Sequence, residues 1–155
     1  MSLKYYKPIT STSRHTIKIN YSKDNIWRGP SLKSLTYGIK SSGGRNNNGL
    51  ISSFHRGGGH KKAFREIDFI RQVLDIPGII YRIEYDPNRS SYIALIVYQN
   101  GYIRYILATD GIKEGDTLTF TRSESVDIKL GNAMPLNHIP VGTKIHNVES
   151  HPYDG

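Results

Sequence analysis

The sequence predicts a mainly β protein, a small closed barrel of about five short strands behind a long, irregular, basic N-terminal extension. Three observations predict it. From Ile79 onward, short alternating or apolar runs are separated by turn residues at close intervals. Charge is uneven: residues 1–75 hold 14 Lys or Arg against 4 Asp or Glu, whereas residues 76–155 hold 7 against 9. Finally, Lys40 to Arg65 read KSSGGRNNNGLISSFHRGGGHKKAFR, with six glycines and six Lys or Arg. Such a segment has little apolar surface to bury and a backbone that is costly to order, so it needs a partner to hold it. A polyanion fits, because its cations and amides donate to phosphate.

Residues 1–40 are basic and lack clean periodicity. Within them Thr16–Tyr21 alternates like a short strand, and Trp27-Arg28-Gly29-Pro30 reads as a turn. Trp27 suits a packing anchor better than a base-stacking platform. The aromatics Tyr5, Tyr6, Tyr21, Trp27 and Tyr37 suggest that this region becomes ordered on a partner. Residues 63–71, AFREIDFIR, fit either a helix or a strand. Asp75-Ile76-Pro77-Gly78 then forces a turn.

Beyond it, Ile79, Tyr81, Ile83 and Tyr85 fall on one face of a strand and Arg82 and Glu84 on the other. Asp86–Ser90 is a loop, and Tyr92–Tyr98 is an apolar run suited to burial on both faces. Asn100-Gly101 signals a type I′ hairpin, from which Tyr102–Ala108 returns antiparallel. Thr117–Thr121 is a fourth strand, Val126–Lys129 an extension of the sheet, and Thr143–Val148 a last strand.

Composition removes several function classes. There is no cysteine, so disulfides and thiolate metal sites are excluded. No apolar run has the length of a membrane span, and MSLKYYKPIT lacks the apolar core of a secretory signal. The N-x-S sequons at Asn20 and Asn88 then have no glycosylation meaning. Net charge is +8. A basic arm beside a near-neutral domain points to nucleic acid, and a Gly-, Asn- and Ser-rich arm is not the amphipathic helix a membrane surface wants. The glycines are not a nucleotide phosphate loop, since Gly59 is followed by His60-Lys61-Lys62-Ala63. A flexible linker is the plain alternative, against which the density of cations argues. His55 and His60 make a poor metal set, with no cysteine or neighbouring carboxylate to join them. Asp110, Glu114, Asp116, Glu124 and Asp127 look like a solvated face, and no nucleophile motif accompanies them. No enzyme is read here. Arg89, in a loop on a rigid barrel, and Arg104, on the hairpin, extend the basic surface or are ordinary surface charges; Arg89 is favoured as functional.

Three stretches, GRNNNGLISSFHRGGGHKKAFREIDF, IEYDPNRSSYIALIVYQNGYIRYILA and IPVGTKIHNVE, carry a resemblance. The chain resembles the N-terminal part of the universal large-subunit ribosomal protein two family, from about Pro30 to Glu149. The resemblance implies an oligonucleotide-binding (OB) barrel of five strands at 63–149, a basic RNA-binding extension at 1–62, and Ala63–Ile70 as the first barrel strand. It also implies a structural role in the large subunit, binding ribosomal RNA and supporting the peptidyl-transferase region and subunit association. The partners would be that RNA, neighbouring ribosomal proteins, and magnesium held by the RNA; the chain would carry no cofactor of its own. The RNA-binding residues so implied, with flanking basic and polar residues, are Lys40, Gly44, Arg45, Asn46, Asn47, His55, Arg56, Gly57, Gly58, Gly59, His60, Lys61, Lys62, Arg65, Asn88 and Arg89. A free single-strand-binding OB protein is the alternative from another class.

The sequence departs from the family pattern in places. Ser53-Phe54 precede His-Arg-Gly-Gly-Gly where a basic residue is usual; Phe54 would stack on a base or pack. Asn100-Gly101-Tyr102 replaces the usual Asp-Gly-Glu. Residues 150–155 stand where the family continues into an SH3-like barrel, which suggests a separate chain carrying that half, or a fragment. Abundant Ile, Tyr, Asn and Lys, with no transit peptide, suggest a mitochondrial ribosome, with a bacterial or plastid ribosome as the fallback.

Overall fold

In the computed structural model, which describes residues 3–21, 26–123, 125–151 and 155, β structure runs through both the basic and the neutral half. The strands are β1 (Leu3–Tyr5), β2 (Ile17–Ile19), β3 (Thr36–Gly38), β4 (Ala63–Arg65), β5 (Gly78–Glu84), β6 (Ile93–Tyr98), β7 (Ile103–Leu107) and β8 (Thr117–Leu118). One helical turn, α1 (Ser11–Arg14), lies between β1 and β2, capped by the Thr10 side chain. The strands form two antiparallel pairs, β1–β2 and β3–β4, and one four-stranded antiparallel sheet in the order β7-β6-β5-β8.

That sheet is a curled half-barrel of the OB type, with four strands where five were expected. The segment between β4 and β5 runs along its open side. Ile67 bridges to Tyr105 on β7, and the Asp68 N–H donates to the Tyr105 carbonyl at 2.8 Å. Farther on, the Asp75 N–H donates to the Phe120 carbonyl beyond β8, also at 2.8 Å. One segment therefore bonds at both edges, which leaves less unpaired backbone there. It is not the continuous strand expected over Ala63–Ile70. Pairing with β3 ends at Arg65, Ile67 makes only an isolated bridge, and the backbone bends at Phe69 and Ile70.

Two further expectations fail locally. At 126–129 the backbone turns instead, held by Asn132, whose side chain accepts from Thr119 N–H and donates to the Asp127 carbonyl. At 143–148 no strand forms: Asn147 has φ of 54°, and Val141, Ile145 and Val148 are exposed with no β partner among the described residues. The 99–101 hairpin is also of another kind. Gly101 N–H donates to the Tyr98 carbonyl and Tyr98 N–H to the Tyr102 carbonyl, giving a three-residue loop. Gly101 is left-handed (φ 83°) and Asn100 is not, so the two-residue type I′ turn does not form.

β6 is buried on both faces, as its unbroken apolar run requires. Ala94, Ile96 and Tyr98 join Ile80, Ile106, Ile112, Leu118 and Phe120 in the main core. Ile93 and Leu95 face the other way, onto Tyr105 and Leu35. Leu35 comes from the basic half. With Leu32 and Ile67 it covers the second face of the sheet. Packing thus joins Leu32 and Leu35 of the basic half to the barrel.

β5 does not present the expected faces. A bulge lies between Ile80, paired with Ile96, and Arg82, paired with Leu95. The extra residue, Tyr81, is exposed, and so is Ile79. The bulge shifts the alternation by one, so Ile80 and Ile83 both reach the main core while Arg82 and Glu84 turn toward the second face.

Candidate nucleic-acid interface

β3 and β4 pair over Thr36↔Arg65, Tyr37↔Phe64 and Gly38↔Ala63, so the loop between them leaves and returns at one place. Residues 39–62 are that loop, and most of it is exposed. Its base is built on Gly44, whose carbonyl accepts from Ser52 and Ser53 N–H at 2.9 and 3.0 Å. Gly44 has φ of 74°, and a Cβ there would collide with the Ser53 carbonyl oxygen. Arg45 bridges to Ile51, and Asn46 holds the tip, its Oδ1 accepting from Asn48 and Leu50 N–H at 3.0 Å each. The Asn46 carboxamide oxygen, placed by sequence at the RNA, is thus committed to shaping the loop.

The second arm folds back onto the first. Gly57 (φ 96°) lies against Gly43, where a Cβ would come within 2.8 Å of the Gly43 Cα. Between the arms is a shallow cleft of about 570 Å³, floored by Gly43, Gly44 and Gly57 and edged by Lys40 and Arg56. Backbone on the floor and two cations at the rim suit an approaching phosphodiester. Arg45, Asn47, His55, Gly58, Gly59, His60, Lys61 and Lys62 are exposed around it. His60 Nδ1–H donates to the Lys61 carbonyl at 3.0 Å, which in the neutral ring makes Nε2 an acceptor. Phe54 is 75% exposed, so it is available for stacking and does not serve packing.

Arg65, Asn88 and Arg89 behave differently. All three are tied to Asp86, which is fully buried. Its carboxylate accepts from Arg89 Nε at 2.6 Å and from the Asn88 backbone N–H and Nδ2 at 3.0 Å, with Arg65 Nη1 at 3.9 Å. Asn88 Nδ2 also donates to the Ala63 carbonyl at 2.7 Å, joining the 86–89 loop to β4. Arg89 lies over the Phe69 ring. These residues fix the edge from which the Gly-rich loop springs. Asp86 itself escaped the sequence reading of the site; an Asx-type loop with two nearby arginines was the signal available.

A second buried carboxylate joins the middle of the extension, at Leu32, to the sheet. Tyr105 OH donates to Glu84 at 3.0 Å and accepts from Leu32 N–H at 2.9 Å. Arg82 Nε donates to Glu84 at 2.7 Å. Burial works against the Arg82 charge, but the hydrogen bond and negative charge of Glu84 outweigh it and raise its pKa. Burial likewise pushes the Tyr105 phenol up. Trp27 lies over the Arg82 guanidinium at 4.6 Å, donates through Nε1 to the Pro30 carbonyl, and covers Gly29, where no Cβ would fit. It packs on Arg82 with one face while 44% of its surface stays exposed. Among the described residues no group of His, Asp and Glu could hold a metal ion, and no helix is long and apolar enough to cross a membrane.

Residues 32–120, which span the second-face covering, the Gly-rich loop and the half-barrel, match the family model for Ribosomal Proteins L2, RNA binding N-terminal domain. The chain belongs to the ribosomal protein L2 family. It is similar to large ribosomal subunit protein uL2 of Rickettsia africae (strain ESF-5) and of Rickettsia conorii (strain ATCC VR-613 / Malish 7), at 52% identity over 149 residues in both cases. The uL2 of Rickettsia canadensis (strain McKiel) is 50% identical over the same length. These matches cover 96% of this chain and 53% of each relative. The chain therefore spans about half the length of the curated relatives it matches. The resemblance drawn from the three motifs is confirmed.

Proposed function

We propose that this chain is a structural, non-enzymatic component of the large ribosomal subunit that binds ribosomal RNA. The observation that carries the reading is the exposed 39–62 loop, held at its base by β3–β4, within a segment matched by an L2 RNA-binding domain model. The half-barrel supplies a rigid mount, and the loop brings glycine backbone and cations to phosphates. Arg65, Asn88 and Arg89 act through Asp86 as positioning residues. Magnesium ions near the loop belong to the RNA, and the chain has no cofactor of its own. Family membership supports the finer roles proposed here, in the peptidyl-transferase region and in subunit association. The Ile-, Tyr-, Asn- and Lys-rich composition supports a mitochondrial ribosome; a bacterial cytoplasmic one fits the rickettsial relatives.

Gradient sedimentation of cell or organelle lysate tests the reading. The native protein should travel with large subunits, and a position at the top of the gradient refutes the ribosomal assignment in favour of a free single-strand binder. In the same fractions, a separate chain with an SH3-like domain should travel alongside; its absence refutes a two-chain L2. Replacing Arg56, Lys61 and Lys62 together by Ala should lower the salt slope of RNA binding by about 0.7–0.9 for each phosphate that is no longer neutralised.

A further inference from the structure

The β1–β2 hairpin lies outside residues 32–120 and has two unlike faces. Leu3 pairs with Ile19 and Tyr5 with Ile17, so one face is apolar. Between them Lys4 stands directly opposite Lys18. Like charges in that relation repel and weaken a hairpin, and a lone two-stranded hairpin has little stability to spare. Both lysines are exposed. Their ammonium groups converge on one ring, Tyr6, at 5.2 Å for Lys4 and 5.8 Å for Lys18. The ring offsets part of the repulsion. Two converged cations beside an aromatic floor form a seat for a single anion.

We propose that Lys4 and Lys18 clamp one phosphodiester group of the RNA backbone, with Tyr6 holding the two ammonium groups in place. The clamp rests on the RNA-binding reading above and extends the RNA footprint beyond the Gly-rich loop. Binding of one phosphate relieves the cross-strand repulsion, so the hairpin gains order and the RNA gains an anchor in one step.

The test uses the full chain and purified large-subunit ribosomal RNA. The salt dependence of binding is measured for the unaltered protein and for K4Q, K18Q and the double variant. A shared phosphate predicts that the slope of log K against log salt falls by about 0.7–0.9 in the double variant, the change expected for a single phosphate. A fall of twice that size overturns the clamp in favour of two independent phosphates, and an unchanged slope overturns it altogether. Reductive dimethylation read by mass spectrometry supplies a site-specific check. Lys4 and Lys18 should both be shielded by RNA; labelling unchanged by RNA, or shielding only by phosphatidylserine vesicles, overturns the proposal. If the unaltered protein shows no salt-dependent RNA binding, the functional reading itself fails. A normal slope that the variants leave unmoved removes the clamp alone. Thermal unfolding of each variant at the wild-type midpoint confirms that the sheet is intact.

Discussion

Replacing Asp86 by Ala should destabilise the free protein strongly and weaken RNA binding with it. The carboxylate is fully buried and accepts from Asn88 and Arg89, the shortest bond being that from Arg89 Nε at 2.6 Å. Its cationic partners are themselves largely covered, with Arg65 and Arg89 side chains 14% and 22% exposed. Removing one member of a buried pair leaves the other charge uncompensated, at a cost of about 3–5 kcal/mol. Arg89 keeps its place over Phe69 and some exposure to water, so the lower end, about 3 kcal/mol, applies. For a chain of this size that corresponds to a fall in Tm of about 6–12 °C. Circular dichroism melts without RNA read it directly. Asp86→Asn retains one acceptor oxygen and should fall between wild type and Asp86→Ala. In Asp86→Ala/Arg89→Ala the orphaned guanidinium is gone, so part of the stability should return. An Asp86→Ala protein melting within about 2 °C of wild type would refute the view that this carboxylate holds the loop's mount together.

Other perturbations separate the remaining parts. Tyr105→Phe removes the donor to buried Glu84 and the acceptor for Leu32 N–H, and should cost about 1–3 kcal/mol in urea unfolding. Gly44 and Gly58 are both left-handed (φ 74°), but only an alanine at Gly44 also meets the Ser53 carbonyl, since Gly58 has open space around it; Gly44→Ala should therefore reduce RNA affinity more than Gly58→Ala. Burial pushes the Tyr98 phenol from 10.0 up to about 12, and its hydroxyl has no partner among the described residues. The folded state thus favours the protonated phenol, so this contribution is complete below pH 10 and is lost as pH rises toward about 12. Tyr98→Phe should flatten that alkaline decline relative to wild type without destabilising the protein at neutral pH, which paired urea titrations would show. Limited proteolysis of the free protein should cut within 39–62 and leave the piece bearing Leu35 bound to the barrel; its release under native conditions would contradict the packing of the second face.

Much of the interface was legible in residue type. Glycines at 43–44 and 57–59 beside Lys40, Arg45, Arg56, Lys61 and Lys62 announce an exposed, cationic, backbone-rich loop, because no such stretch can bury itself. The β6 run was equally plain, since an unbroken apolar run must be covered on both faces; Asn100-Gly101 announced the reversal after it but not its three-residue loop. The roles of individual polar side chains were not legible. Asn46, Asn88, Arg65 and Arg89 have the chemistry of RNA ligands, but Asn46 caps its own loop and the other three are bound to Asp86. Chemistry defines what a side chain can do; only its neighbours decide how much of that capacity is already used.

The mainly β class, the basic arm, the Gly-rich loop and, through its motifs, the L2 family were readable from the linear chain. These depend on local pattern and composition, which a linear chain displays in full. That the sheet is a four-stranded half-barrel with one segment bonded at both edges, and that Leu35 belongs to the core, emerged with the fold. It alone showed that a bulge at Tyr81 reverses the faces of β5. Each of these turns on contacts between residues far apart in the chain. A one-residue bulge also inverts every side chain after it while leaving the local pattern untouched.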